Sequence, residues 1–200
     1  MPPADPEIAR LLDLLPASGR SKTKLMAKPH QSQVLHVPLP RPWPTPHGIS
    51  FNPDLWQQLP QPQRDLLLLR SVAWIMNVRW LKPELYQGVM AIGLVGSLAE
   101  FLQADFVGVA MAVGLTAGAT AQLWRRNHSP QRDLEADEGA LRLSQRRGYR
   151  APDALRALLG GIEAIAALEQ RSLDFGELLR CQNLRSKLAA HPQEVPDRLG

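Results

Sequence analysis

Apolar positions recur at helical spacing in most of the chain, and the pattern breaks at prolines and glycines. Residues 6–15 (PEIARLLDLL) predict a short amphipathic helix, with Asp5 as cap and Pro6 in the first turn. Residues 16–32 are polar and basic and read as loop. QVLHVPL (33–39) alternates like a strand, and Pro38 restricts it to an edge. PRPWPTPHG (40–48) is an extended connector, and ISF (49–51) is a second short strand. Asn52 and Pro53 open a short helix over 52–59. Residues 61–78 predict a long, largely buried helix. Three more helices follow at 130–147, 151–170 and 173–190, with Gly148 ending the first of them.

Between the long helix and these three lies a stretch of different character. Residues 85–124 are almost wholly apolar or small, and Glu100 and Asp105 near the middle are their only formal charges. Two spans, 85–102 and 106–124, therefore flank an acidic turn. Each approaches the roughly 17–20 residues that a helix needs to cross a hydrocarbon core. Lys82 precedes the pair and Arg125 and Arg126 follow it, which predicts both ends on the positive-inside face. Trp80, Tyr86 and Trp124 stand where interfacial aromatics would, and Gly93–Ser97 and Gly114–Gly118 are small pairs that permit close helix approach. The alternative is a hairpin buried inside a soluble domain, which the shortness of the spans and their Ala and Gly content favour. The basic flanks and unbroken lack of charge favour lipid.

The organisation expected is a basic, proline-rich arm with a short helix and edge strand at 1–48, and a single helical domain at 49–190 interrupted by the hairpin. A flexible tail at 191–200 completes it. The chain is 44 % hydrophobic and 21 % charged, enough apolar content for a core. Cys181 is the one cysteine, so neither an internal disulfide nor a cysteine zinc site can form. A net charge of +4 is weak evidence for nucleic acid, and none is expected as a partner. The acidic N-terminus without a long apolar core predicts no signal peptide.

Candidate chemistry centres on QRDLEADEGALRLSQRRGY (131–149), which gathers Asp133, Glu135, Asp137 and Glu138 near a helix start. Asp133 and Asp137 share a face. Acid there offsets the helix dipole, and Arg142, Arg146 and Arg147 suit the opposite end. A carboxylate pair for acid–base work is the competing reading, and it needs a polar partner from elsewhere. The histidines are His30, His36, His47, His128 and His191, and no two have metal-ligand spacing on one helix. There is no G-x-S-x-G elbow, and Gly160–Gly161 lacks the lysine of a phosphate loop. Cys181 reads as packing. Arg70, inside LLLLRSVAWIM, is costly unless it is paired or reaches the surface.

ISFNPDLWQQLPQPQRDLLLLRSVAW, the hairpin behind it and RDLEADEGALRLSQRRGY together resemble the zinc metallopeptidases of the HtpX and CAAX-prenyl-protease type, and their gluzincin relatives, over about 49–170. The resemblance implies a mainly α, zincin-like fold. It also implies H-E-x-x-H on the long helix and a third ligand on the later one. Aligned on that frame, the first ligand position holds Arg70, the base position Ser71 and the second ligand position Trp74. The third ligand, normally Glu, is Asp133, while Ala136 and Asp137 match. Zinc hydrolysis needs its ligands and a base, so the resemblance implies a degenerate, non-catalytic relative without cofactor or metal. The remaining frame, Arg70, Ser71, Trp74, Asp133 and Asp137, then suggests a guanidinium bridging helices where zinc would sit, with a cost of roughly 3–5 kcal/mol for removing Arg70. RLLDLLPASGR, QRDLLLLR and LEADEGALR also resemble an uncharacterised cyanobacterial family, which implies a photosynthetic host and no activity.

The expected function is a scaffold, assembly or regulatory partner of a membrane complex. The chain would be integral to a thylakoid or plasma membrane with both termini cytoplasmic. Arg20, Lys22, Lys24 and Lys28 are candidates for contact with lipid headgroups or a partner. A soluble interaction module with a buried hairpin and a divergent zinc peptidase are the alternatives.

Overall fold

The computed structural model describes residues 6–38, 46–77 and 130–191. All of them belong to one of the two compact units into which the chain divides, Met1–Asn77 with Pro130–Gly200; the other is Val78–Ser129. Helix α1 (Pro6–Leu14) and the six-residue α2 (Ala17–Lys22) lead into strand β1 (Thr23–Ala27). The stretch expected as loop at 16–32 therefore carries both a helix and a strand. Its polar residues are compatible with that because β1 alternates: Thr23 and Leu25 are buried while Lys24 faces water.

Strand β2 is only Leu35–His36, and β3 (His47–Phe51) runs between the other two in the order β1-β3-β2. β1 pairs parallel with β3, Thr23 opposite His47, and β2 pairs antiparallel, Leu35 opposite Phe51. β2 is shorter than its alternation predicts. Pro38 lacks a donor, and the Val34 N–H donates to Glu169 Oε1 at 2.8 Å instead of to a strand. Asn52 then caps α3 (Pro53–Trp56), accepting from Asp54 N at 3.0 Å. Its amide nitrogen reaches back to Pro29 O and Gln31 O, tying the loop after β1 to the end of β3.

Helix α4 (Gln61–Asn77) is the centre of the domain. Leu66, Leu67, Leu68 and Leu69 are all buried, so the helix is covered on every side rather than on one stripe. Full burial of one leucine contributes about 1.5–3 kcal/mol, which makes this run a major source of stability. α5 (Pro130–Gln145) and α6 (Ala151–Leu168) pack on it, and α7 (Phe175–Ala189) packs on both α5 and α6. Glycine allows two of these contacts. A Cβ on Gly139 would stand 2.8 Å from the Ala73 methyl, and one on Gly161 would stand 3.1 Å from Leu67. α5 ends at Gly148, whose φ of +90° lets Tyr149 N return to Ser144 O.

Two expectations are corrected here. The domain is mainly helical, but no helix among the described residues is long and apolar enough to cross a membrane. The reason is physical: α4 carries Asp65 and Arg70, and α6 carries Asp153, Arg156 and Glu163. The apolar stretch 85–124 lies outside the described residues, as does the tail 192–200. The zincin-like domain with a transmembrane hairpin, and with it the integral-membrane placement with cytoplasmic termini, are therefore withdrawn.

Candidate functional site

Helices α5 and α7 bring charged side chains to a shared buried seam against α4. α5 turns Asp133 and Asp137 inward, and Glu135 and Glu138 stay exposed. Glu138 meets Lys187 Nζ at 2.7 Å, which holds its carboxyl below the usual range. From α4, Arg70 Nη2 donates to Asp133 Oδ1, and Arg70 Nε lies 3.6 Å from Asp137 Oδ1 without a hydrogen bond. From α7, Arg180 Nε and Nη2 donate to Asp137 Oδ2 and Oδ1, each at 2.8 Å, a two-pronged pair. Asp137 and Arg180 are both buried.

The two guanidinia sit in opposite electrostatic situations. Burial, reinforced by the nearby Arg180 charge, lowers the pKa of Arg70. Burial opposes the Arg180 charge as well, but the charge and hydrogen bonds of Asp137 outweigh it and the net shift is upward. The seam continues to the surface. Arg171 donates to Glu177 at 2.6 and 2.8 Å and to Glu169 at 2.7 Å, and Glu169 in turn holds Val34. One chain of charges thus connects α4, α5 and α7 to the start of β2. A cleft of about 280 Å³ opens beside it, between β2, α4, α6 and α7.

The structure thus brings Arg70, Asp133 and Asp137 together. Ser71 is buried and donates to Leu67 O at 2.8 Å, so its hydroxyl is spent on its own helix. Trp74 packs against the core. His36 turns to Gln33 and His191 to Lys187 O, His30 is exposed, and burial with the neighbouring Lys22 lowers the pKa of His47. His128 is outside the described residues. Among the described residues, no three His, Cys, Asp or Glu side chains converge as a metal would require. Burial pushes the Cys181 thiol up, away from the reactive thiolate. Arg20, Lys22, Lys24 and Lys28 are exposed on α2, β1 and the turn after it, and Arg20 lies 3.5 Å from Asp13.

Sequence reasoning missed Arg180. The signal was present: Arg180, Leu184 and Leu188 recur every four residues, which places the arginine on the buried stripe of α7. It also missed a second cluster around Asp65, which accepts from Arg10 Nη1 at 2.6 Å and from Tyr149 Oη at 2.7 Å. Arg10 also holds Glu7, which takes Arg64 and Trp56 Nε1 as well. Arg10 lowers the Glu7 pKa, against the opposing effect of burial.

Burial and the hydrogen bond to Asp65 raise the Tyr149 pKa well above its ordinary 10.0. A raised folded-state pKa gives stability that is complete below pH 10 and is lost as pH climbs toward the folded value. Tyr149→Phe should therefore flatten the alkaline decline. Denaturant titrations of both proteins from pH 8 to 11 test this, and parallel curves would exclude the tyrosine as the cause.

The chain belongs to the DUF3318 family of proteins of unknown function, whose family model matches residues 9–149. It is 33 % identical over 115 residues to the thylakoid membrane protein slr1949 of Synechocystis sp. (strain ATCC 27184 / PCC 6803 / Kazusa). That match covers 55 % of this chain and 54 % of the relative, so the chain spans about half the length of the curated protein it matches. No solved structure matches. The expected kinship with HtpX-type peptidases finds no support in these relatives, whereas the cyanobacterial resemblance agrees with them.

Proposed function

We propose that this protein is a non-catalytic assembly or regulatory partner of a membrane protein complex, held at the surface of a photosynthetic membrane. The observation that carries the non-catalytic reading is the occupancy of the inward acid pair. Asp137 has both oxygens on Arg180, and Asp133 is held by Arg70. Neither oxygen of Asp137 is left open to a substrate, and no histidine among the described residues is hydrogen-bonded to either aspartate. The membrane reading is supported by the relative's description as a thylakoid membrane protein.

The contact surface proposed is the exposed basic run Arg20, Lys22, Lys24 and Lys28. Each such residue contributes about 1 kcal/mol near an anionic bilayer, so the four together supply up to about 4 kcal/mol, screened by salt. Full-length protein should float with vesicles containing phosphatidylglycerol. It should float less at high salt, and a variant with all four positions changed to Glu should stay behind. Equal flotation of wild type and variant would remove this surface. For the partner, a pull-down from detergent-solubilised membranes should recover a membrane complex. Stoichiometric zinc in the purified protein, or peptidase activity, would overturn the non-catalytic reading.

A further inference from the structure

We infer that the cleft beside Arg70 receives an extended, uncharged segment of a partner protein, which adds as a strand to the outer edge of β2. The inference deepens the assembly reading and rests on it for the existence of a partner; the geometry comes from the cleft itself.

The backbone directions come first. Phe51 O accepts from Lys28 N at 2.8 Å, so Phe51 points its backbone toward the β1 side. Alternation turns Ser50 toward β2, opposite His36, and Asn52 N donates to Val34 O at 3.0 Å. The Val34 carbonyl and the His36 backbone therefore face β3, while Leu35 and Val37 direct their N–H and C=O groups outward. Among the described residues no strand pairs with that edge, and the cleft opens along it, lined by Leu35, Val37 and Arg70. An open edge with an adjoining groove is the arrangement that strand addition uses.

The character of the occupant follows from charge and from donors. At the cleft and directly behind it, Arg70, Arg171 and Arg180 stand with Glu169, Glu177, Asp133 and Asp137, so carboxylates outnumber guanidinia. The three guanidinia that line the cleft are thus already matched by carboxylates, and an added anion would gain little there. Arg180 and Arg171 are each held by two hydrogen bonds or more, whereas Arg70 makes one, to Asp133, and is still 19 % exposed on the cleft wall. Its remaining donors suit a neutral acceptor, and a peptide carbonyl is one. Leu67, Ile162 and Ile165 supply apolar wall for an alternate side chain. On α7, which forms the far wall, Phe175 is 75 % exposed and Leu178 53 % exposed, large apolar side chains left facing outward.

The test uses full-length protein and the heptapeptide Thr-Val-Thr-Ile-Thr-Val-Thr, acetylated and amidated so that it carries no charge. Titration calorimetry should show saturable binding, and amide exchange at Leu35 and Val37 should slow. Val37→Pro removes an outward donor and no bond to β3, and should weaken binding about tenfold, the effect of one lost hydrogen bond. Arg70→Met should weaken it to a similar degree. The same peptide N-methylated at alternate amides should not bind, and this comparison needs only the wild-type protein if Val37→Pro or Arg70→Met fails to fold. The inference is overturned by absence of binding, by equal binding of the N-methylated peptide, or by binding of an aspartate-terminated peptide alone, which would mark an anion site. Failed peptide binding with vesicle flotation intact would overturn the cleft inference and leave the membrane reading standing. Peptide binding without flotation would do the reverse.

Discussion

Arg180→Ala should lower the free energy of unfolding by about 3–5 kcal/mol, the cost of leaving a buried carboxylate without its partner. Asp137 is 2 % exposed and has both oxygens on Arg180, so water cannot replace the lost bonds. Arg70 Nε stays 3.6 Å away and gives only partial compensation. The double variant Arg180→Met with Asp137→Leu removes both charges at similar volume, and should recover most of that loss. Urea midpoints for the wild type, Arg180→Met, Asp137→Leu and the double variant complete the cycle. A loss below about 1 kcal/mol for Arg180→Ala would mean that the pair is solvated, contrary to its burial.

Arg70 ranks lower than the sequence suggested. Its hydrogen-bonded partner Asp133 is 33 % exposed, so solvent takes over part of the bond when the guanidinium is removed. The expectation of roughly 3–5 kcal/mol belongs to a fully buried pair, and in this fold that pair is Asp137 with Arg180. Arg70 is better described as the seam cation that keeps donors to spare.

How far the sequence could be read depended on whether a signal was local. Asn52–Pro53 and Gly148 mark helix boundaries through their own backbone chemistry, and the helices at 61–77, 130–145, 151–168 and 175–189 fall within a few residues of the periodic pattern. β1 was not legible. A parallel strand is defined by its partner, here β3 some twenty residues later, and TKLMA has no turn signal of its own. The site divides in the same way. Asp133 and Asp137 share a face by spacing alone, and Arg70 stands out inside a leucine run. Arg180 was overlooked because LLRCQNLRSKL holds three cations at close spacing, although its four-residue spacing to Leu184 and Leu188 puts it on their face. Asp65 was hidden behind the four leucines after it, although its spacing to Leu69 and Val72 puts it on their face.

That hidden aspartate carries the second large effect expected. Asp65→Ala should cost about 2–4 kcal/mol, since it removes one charge-assisted bond from Arg10 and one from Tyr149 in a buried setting. Asp65 is 3 % exposed, and its two partners come from segments far apart in the sequence, α1 and the turn after α5. Arg10 keeps Glu7 when Asp65 is lost, and Tyr149 is only partly buried, so neither is left wholly without a partner. This places the cost below that of Arg180→Ala. Asp65→Asn retains an acceptor and should cost about half as much as the alanine change. In amide exchange, Asp65→Ala should loosen α1 before it loosens α5–α7, because Asp65 holds α1 to α4 through Arg10. Uniform loss of protection across all helices would show instead that α1 and the helical core unfold as one unit.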